Sequence, residues 1–132
     1  EAGAALTARV VAVDPQLALA ELDLGKHRFS VPSRGLAEGD DVRLQIHARD
    51  VSVALEAPGR LSIRNVLPAK VVSIDDPGFG TYADILLDID GAQLRSRVTR
   101  AAVMALPLVE GVSCYALVKA ASIEEHPALD LH

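Results

Sequence analysis

A hydroxyl, a guanidinium and a carboxamide stand within four residues at Ser62-Ile63-Arg64-Asn65, with no carboxylate among them. Such donors, together with backbone N–H groups, can converge on a small oxyanion, the guanidinium through its rigid fork. Two other places fit the same chemistry. Thr99 opens a helix-like stretch, and Lys119, followed by Ala120, interrupts an otherwise apolar run from Ser113 to Ile123. Each residue also has a plainer reading: Ser62 as a polar strand-edge residue, Arg64 as a surface charge, Asn65 as a turn former, Thr99 as a helix cap, and Lys119 as a side chain snorkelling from a rim. As a set they make a donor group suited to a tetrahedral dianion.

Enzymatic constellations are missing. The chain has no Gly-rich phosphate loop and no Gly-x-Ser-x-Gly elbow, and His27, His47, His126 and His132 lack the mutual spacing or Cys partners of a zinc site. No catalytic residue and no direct protein–metal ligand is expected. Asp75-Asp76 and Asp88-x-Asp90 sit beside Pro or Gly, where Asp accepts from turn N–H groups. The charged segment Glu124-Glu125-His126 reads as a solvated end.

The elements that must position these donors are strands. Residues 6–13 are β-branched and stop at Asp14-Pro15. Leu17, Leu19, Leu22 and Leu24 change phase between Ala20 and Glu21, which predicts a bulge in the second strand before the Gly25-Lys26 turn. A third strand covers His27 to Val31. Val42, Leu44, Ile46 and Ala48 alternate with polar residues, and the phase shifts at Asp50, after which Val51, Val53 and Leu55 share a face. Ala57-Pro58-Gly59-Arg60 then interrupts the strands, and the pattern restarts.

The restart is a repeat. Ala69-Lys70-Val71-Val72-Ser73-Ile74-Asp75 reproduces Ala8-Arg9-Val10-Val11-Ala12-Val13-Asp14 at an offset of 61; Leu87-Asp88 matches Leu22-Asp23 at 65, Val98 matches Val31 at 67, and Glu110-Gly111 matches Glu38-Gly39 at 72. An ordered drift with jumps at turns is the mark of a duplicated unit with loop insertions. One insertion is Pro77-Gly78-Phe79-Gly80. The last replaces Pro32-Ser33-Arg34-Gly35 with Thr99 to Leu106, a short helix capped by Thr99. The expected architecture is all-β: two tandem small antiparallel barrels of the oligonucleotide/oligosaccharide-binding type, residues 1–57 and 58–132, with one short helix in the second.

Composition narrows the function classes. The 132 residues carry a net charge of −5, 50% hydrophobic residues, 3% aromatics and no Trp. An acidic chain with so few stacking rings lacks the footprint of a nucleic-acid binder. The single cysteine, Cys114, lies in an apolar run and reads as a small buried hydrophobe, which fits a reducing compartment. No run approaches the roughly 20 apolar residues of a membrane span and no leader pattern opens the chain, so a soluble domain is expected. The start at Glu1 suggests a piece of a larger polypeptide.

Ser62-Ile63-Arg64-Asn65-Val66-Leu67-Pro68, then Lys70 to Ile74, then Ala116-Leu117-Val118-Lys119-Ala120, resembles the molybdenum-pterin-binding (molbindin, or Mop) family. The stretch from Val42 to Leu55, with its Ala48-Arg49-Asp50-Val51 run, is similar to the C-terminal regulatory region of the ATP-binding subunit of bacterial molybdate importers. The resemblance implies Mop or TOBE modules whose oxyanion-binding residues are Ser62, Arg64, Asn65, Thr99, Lys119 and Ala120. It implies molybdate or tungstate as ligand, with ATP used only in an upstream domain, a homodimer through the barrels, and a parent associated with a membrane permease. It also implies a cytoplasmic location at the inner face of the membrane and feedback of the oxyanion on transport. A free-standing molybdate or tungstate store and a purely structural dimerisation domain are the alternatives. The first copy departs from the pattern: Glu1, Gly3 and Ala4 align with Ser62, Arg64 and Asn65, and His47 aligns with Lys119. It is expected to act as scaffold, with the strand from Ile46 to Asp50 adding a contact.

Overall fold

The computed structural model describes residues 4–123. In chain order the strands are β1 (Ala4–Asp14), β2 (Leu19–Leu24), β3 (His27–Pro32), β4 (Asp41–Ile46), β5 (Val51–Ala54), β6 (Asn65–Asp75), β7 (Tyr82–Ile89), β8 (Ala92–Thr99), β9 (Ser113–Val118) and β10 (Ser122–Ile123). A 3-10 turn, Ala48–Asp50, precedes β5, and one helix, α1 (Arg100–Ala105), follows β8. Among the described residues the fold is therefore all-β with a single short helix in the second half, as the sequence pattern predicts.

Two compact units result, an amino-terminal one built on residues 5–45 with 121–123 and a central one built on 46–120. The amino-terminal sheet has the order β10-β4-β1-β2-β3 and the central sheet the order β5-β9-β6-β7-β8. Each half of the sequence gives its last strand to the sheet of the other. β5 pairs with β9, Val51 facing Val118, while β10 pairs with β4, Ile123 facing Leu44. The compact units thus divide near Ile46 and Ala121, whereas the Pro-Gly break in the sequence lies at residues 57–60. A Pro-Gly interruption marks where a strand stops; it carries no information about which sheet edge the preceding strand completes.

The duplication reappears as duplicated bonds. Val10 N donates to Asp40 O at 2.9 Å and Gly39 N to Val10 O at 2.8 Å; Val71 N donates to Val112 O at 2.9 Å and Gly111 N to Val71 O at 2.8 Å. These pairs stand at the sequence offsets of 61 and 72. Val10 faces Leu22 and Val71 faces Leu87, at the offset of 65, and the residues that bulge are Val11 and Val72. The bulge lies on β1, not on β2 as the leucine phase predicts. On β2, Ala20 and Leu22 alternate into the core without interruption, and Leu17 is an exposed turn residue.

The third strand corrects the repeat. Leu22 faces Phe29 and Leu87 faces Leu94, because both hairpins turn over two residues, Gly25-Lys26 and Asp90-Gly91. The offset stays at 65, so Val31 corresponds to Ser96, not to Val98. Ser96 is fully buried, and its hydroxyl donates to Val51 O at 2.6 Å. Val51 and Ser96 lie on the two edge strands of the central sheet, so the sheet curls until β5 and β8 meet at this bond. A buried hydroxyl without a partner would be costly, and here it satisfies an edge carbonyl in return.

Candidate functional site

Asn65 begins β6 and pairs with Val118, the last residue of β9; on the other flank of β9, Val118 pairs with Val51. Ser62 and Arg64 immediately precede β6, and Lys119 and Ala120 immediately follow β9. Antiparallel pairing therefore brings both donor runs to one end of the central sheet, with Arg64 one step outward from Asn65 and Lys119 one step outward from Val118. Ser62, Arg64, Lys119 and Ala120 are exposed and Asn65 is half-buried. Among the described residues, no carboxylate pairs with Arg64 or Lys119. Both cations are thus available to an anionic ligand.

Lys119 does not interrupt a strand. β9 ends at Val118, and Lys119 N donates to Asp50 O at 3.0 Å. The 3-10 turn Ala48–Asp50, closed by Asp50 N donating to His47 O at 2.9 Å, thereby fixes the backbone from which Lys119 projects. The strand expected from Ile46 to Asp50 is not formed: β4 ends at Ile46 and the segment turns, so that its contact with Lys119 is made by a main-chain carbonyl. His47 and Arg49 are exposed on the same turn.

Thr99 lies elsewhere. It ends β8 opposite Tyr82, and its Oγ1 accepts from Ala102 N at 3.1 Å as the N-cap of α1. The successive antiparallel pairings make β5 and β8 run in the same direction. Ser96 meets Val51, Thr99 follows Ser96 by three residues, and Asp50 precedes Val51. Thr99 therefore stands about 10 Å along β8 from the seam bond, in the direction away from Asp50 and Lys119. Donors on one small tetrahedral ion cannot be so far apart within a single central unit.

The turn carboxylates behave as caps. Asp88 Oδ1 accepts from Gly91 N at 3.1 Å and Asp76 Oδ1 from Gly78 N at 2.9 Å. The Gly78 N–H, and then the Arg100 guanidinium, hold the Asp76 carboxyl below the usual carboxylate range. The Asp76–Arg100 pair at 2.7 Å is a contact that the sequence pattern does not signal, since Asp76 borders one insertion and Arg100 lies in the other. Burial pushes the Cys114 thiol up, consistent with a packing role. Among the described residues no group of three or more His, Cys, Asp or Glu could hold a metal ion, and no helix is long and apolar enough to cross a membrane. Glu1, Gly3, Glu124, Glu125, His126 and His132 lie outside the described residues.

Fold and sequence together define a class. Residues 61–124 match the TOBE domain family, so the chain carries a TOBE domain, and that domain contains the whole candidate donor set. Among curated proteins, the molybdenum import ATP-binding protein ModC of Brucella abortus is 43% identical over 92% of this chain, and its counterpart in Paramagnetospirillum magneticum is 40% identical over 93%. The ModC of Mesorhizobium japonicum is 35% identical over 94%. The chain spans about a third of the length of these relatives, 34% for the first two and 33% for the last. A solved structure of the cytoplasmic molybdate-binding protein ModG, with molybdate bound, superposes with a TM-score of 0.76 at 27% identity, covering 91% of this chain and 92% of ModG.

Proposed function

We propose that this chain is the oxyanion-sensing regulatory region of a molybdate importer's ATP-binding subunit. Molybdate or tungstate is held by Ser62, Arg64, Asn65, Lys119 and Ala120 of one copy, and the Thr99 hydroxyl comes from a second copy. The observation that supports this most is the meeting of the Ser62–Asn65 run with Lys119-Ala120 at one sheet end, in a chain 43% identical over 92% of its length to ModC. Thr99 is too far along β8 to reach the same ion from within its own central unit, which favours a homodimer with shared sites. ATP hydrolysis belongs to the part of the parent protein beyond this region, at the cytoplasmic face of the membrane beside the permease.

The mechanism follows from the donors. Two cations offset the charge of a tetrahedral dianion, and hydroxyl, amide and backbone donors fix its orientation. Selection rests on donor spacing, so the smaller sulfate loses contacts, while molybdate and tungstate bind alike. Because the ion bridges two copies, it favours the dimeric arrangement over others by its differential affinity. That preference is what lets accumulated oxyanion slow transport.

Calorimetry tests this directly. Molybdate and tungstate should each release or absorb heat on binding, a large excess of sulfate should compete poorly, and Arg64→Ala combined with Lys119→Ala should abolish the signal. No heat and no thermal shift with either oxyanion would sink the proposal. Gel filtration should give a dimer mass that molybdate stabilises. A second reading, a free-standing binding protein, is favoured by the near-complete coverage of ModG, 92% of that chain. A reading frame continuous with an upstream ATP-binding domain excludes it.

A further inference from the structure

The two insertions that enlarge the second copy are tied to each other. Arg100 begins α1, yet its Nε donates to Asp76 Oδ1 at 2.7 Å and its Nη1 to Gly80 O at 3.3 Å, both in the β6–β7 turn. Its backbone N donates to Thr81 O at 2.7 Å. Asp76 in turn receives Gly78 N on the same carboxylate oxygen at 2.9 Å, so the acceptor is itself anchored. Thr99 stands immediately before Arg100 and opposite Tyr82, inside this frame. Its oxygen accepts from Ala102 N, which leaves the hydroxyl proton to donate outward.

In the first copy neither insertion exists. Asp14 faces Leu19 across a turn of four residues, and Asp14 Oδ1 accepts from Gln16 N at 2.9 Å and Leu17 N at 3.1 Å within that turn. No helix follows β3. The brace is therefore confined to the copy that holds the donors.

We infer that Asp76 and Arg100 are positioning residues for oxyanion binding: their bridge between the β6–β7 turn and the start of α1 fixes the direction in which the Thr99 hydroxyl donates. This rests on the reading above in which Thr99 contacts the bound ion. An exposed ion pair contributes little to stability, but a hydrogen bond to a charged acceptor weakens steeply when its donor is misdirected. The sign of the effect separates positioning from plain electrostatics. Asp76 carries a negative charge on the same platform as an anion's donor, so acting through space it would oppose binding, and neutralising it would tighten binding. Acting as an anchor for Arg100, its neutralisation weakens binding.

The test is molybdate calorimetry on the 132-residue chain, with thermal unfolding as the check of folding. Asp76→Asn keeps an oxygen for Gly78 N–H and is expected to weaken binding about 3–10-fold, against about 10-fold for Thr99→Val. Arg100→Lys, which keeps the charge and loses the fork, is expected to weaken it in the same direction and serves if Asp76→Asn does not fold. In the Thr99→Val background Asp76→Asn should add less than about twofold, since the two act through one contact. Tighter or unchanged binding by both Asp76→Asn and Arg100→Lys, or fully multiplicative losses in the double variant, overturns the inference while leaving oxyanion binding intact. No effect of Thr99→Val overturns it as well. Absence of wild-type binding overturns the functional reading itself, and the inference with it.

Discussion

The amino-terminal and central units repeat one hairpin plan but carry different side chains on it, Ala20 and Phe29 in one core against Ile85 and Leu94 in the other, and different chemistry at strand ends and turns. The bonds that define the plan, around Val10 in one and Val71 in the other, agree within 0.1 Å. Besides the longer β6–β7 turn, three equivalent places differ in polarity or in secondary structure. Val31 in the amino-terminal core is Ser96 in the central one. The pair Leu19–Pro32 across β2 and β3 is Asp84–Arg97 across β7 and β8. The short turn at Pro32–Gly35 is a capped helix after Thr99. A sheet whose backbone bonding fixes its geometry tolerates new chemistry where side chains do not define the core, which is where binding groups tend to accumulate on folds.

Substitutions at equivalent positions test how far the two units are alike. Leu22 and Leu87 are fully buried, each facing the valine next to the bulge of its sheet, Val10 and Val71. Leu22→Ala and Leu87→Ala should each cost about 2–5 kcal/mol in denaturant unfolding. Similar losses sustain the duplication as an energetic fact, whereas a loss confined to one leucine breaks it.

Exchanging the core residues at the third strand should have a smaller effect. Ser96→Val strands the Val51 carbonyl at the seam, and Val31→Ser buries a hydroxyl where an apolar side chain packs. Each is expected to cost about 1–3 kcal/mol, read as a lowered midpoint of unfolding. A more stable Ser96→Val protein would show that the seam between β5 and β8 does not depend on the hydroxyl.

The smallest difference concerns the cross-strand pair. Arg97 Nε and Nη2 donate to the two Asp84 carboxylate oxygens at 3.0 and 3.1 Å, and this hydrogen-bonded guanidinium holds the Asp84 carboxyl below its ordinary range. A carboxylate whose pKa is depressed by folding adds stability that is complete above its unfolded value, near 3.9, and is lost as pH falls through the folded value. Both side chains are partly exposed, so Arg97→Ala should remove no more than about 1 kcal/mol at neutral pH. The difference between wild type and Arg97→Ala should vanish in strong acid. If it persists there, packing, and not the ion pair, accounts for it.

Most of the strand order in sequence was legible because period-two burial is a local property. Val42 to Ile46, the phase shift at Asp50 and the Thr99 cap all lie where the alternation and the turn residues put them. The leucines of β2 misled because a turn residue, Leu17, shares the side-chain chemistry of the core. Val98 misled the repeat for a related reason: an apolar match carries no register, whereas the two-residue turn at Asp90-Gly91 fixes it. The exchange of β5 and β10 between sheets was not legible at all, since a strand's own residues do not identify the edge it will complete.

The donor types and the duplicated plan are local properties of the chain. Ser62, Arg64, Asn65, Thr99 and Lys119 are chemical identities, and the duplication is written in matched residues and ordered offsets. Which donors meet depends instead on strand pairing. Pairing of β6 with β9 joins Asn65 to the neighbourhood of Lys119, the Asp50 carbonyl fixes the Lys119 backbone, and the curl that brings Ser96 to Val51 sends Thr99 the other way. The two differ in range. Residue types and alternation act over a few positions of chain, whereas the company a donor keeps is set by pairings between segments far apart in sequence.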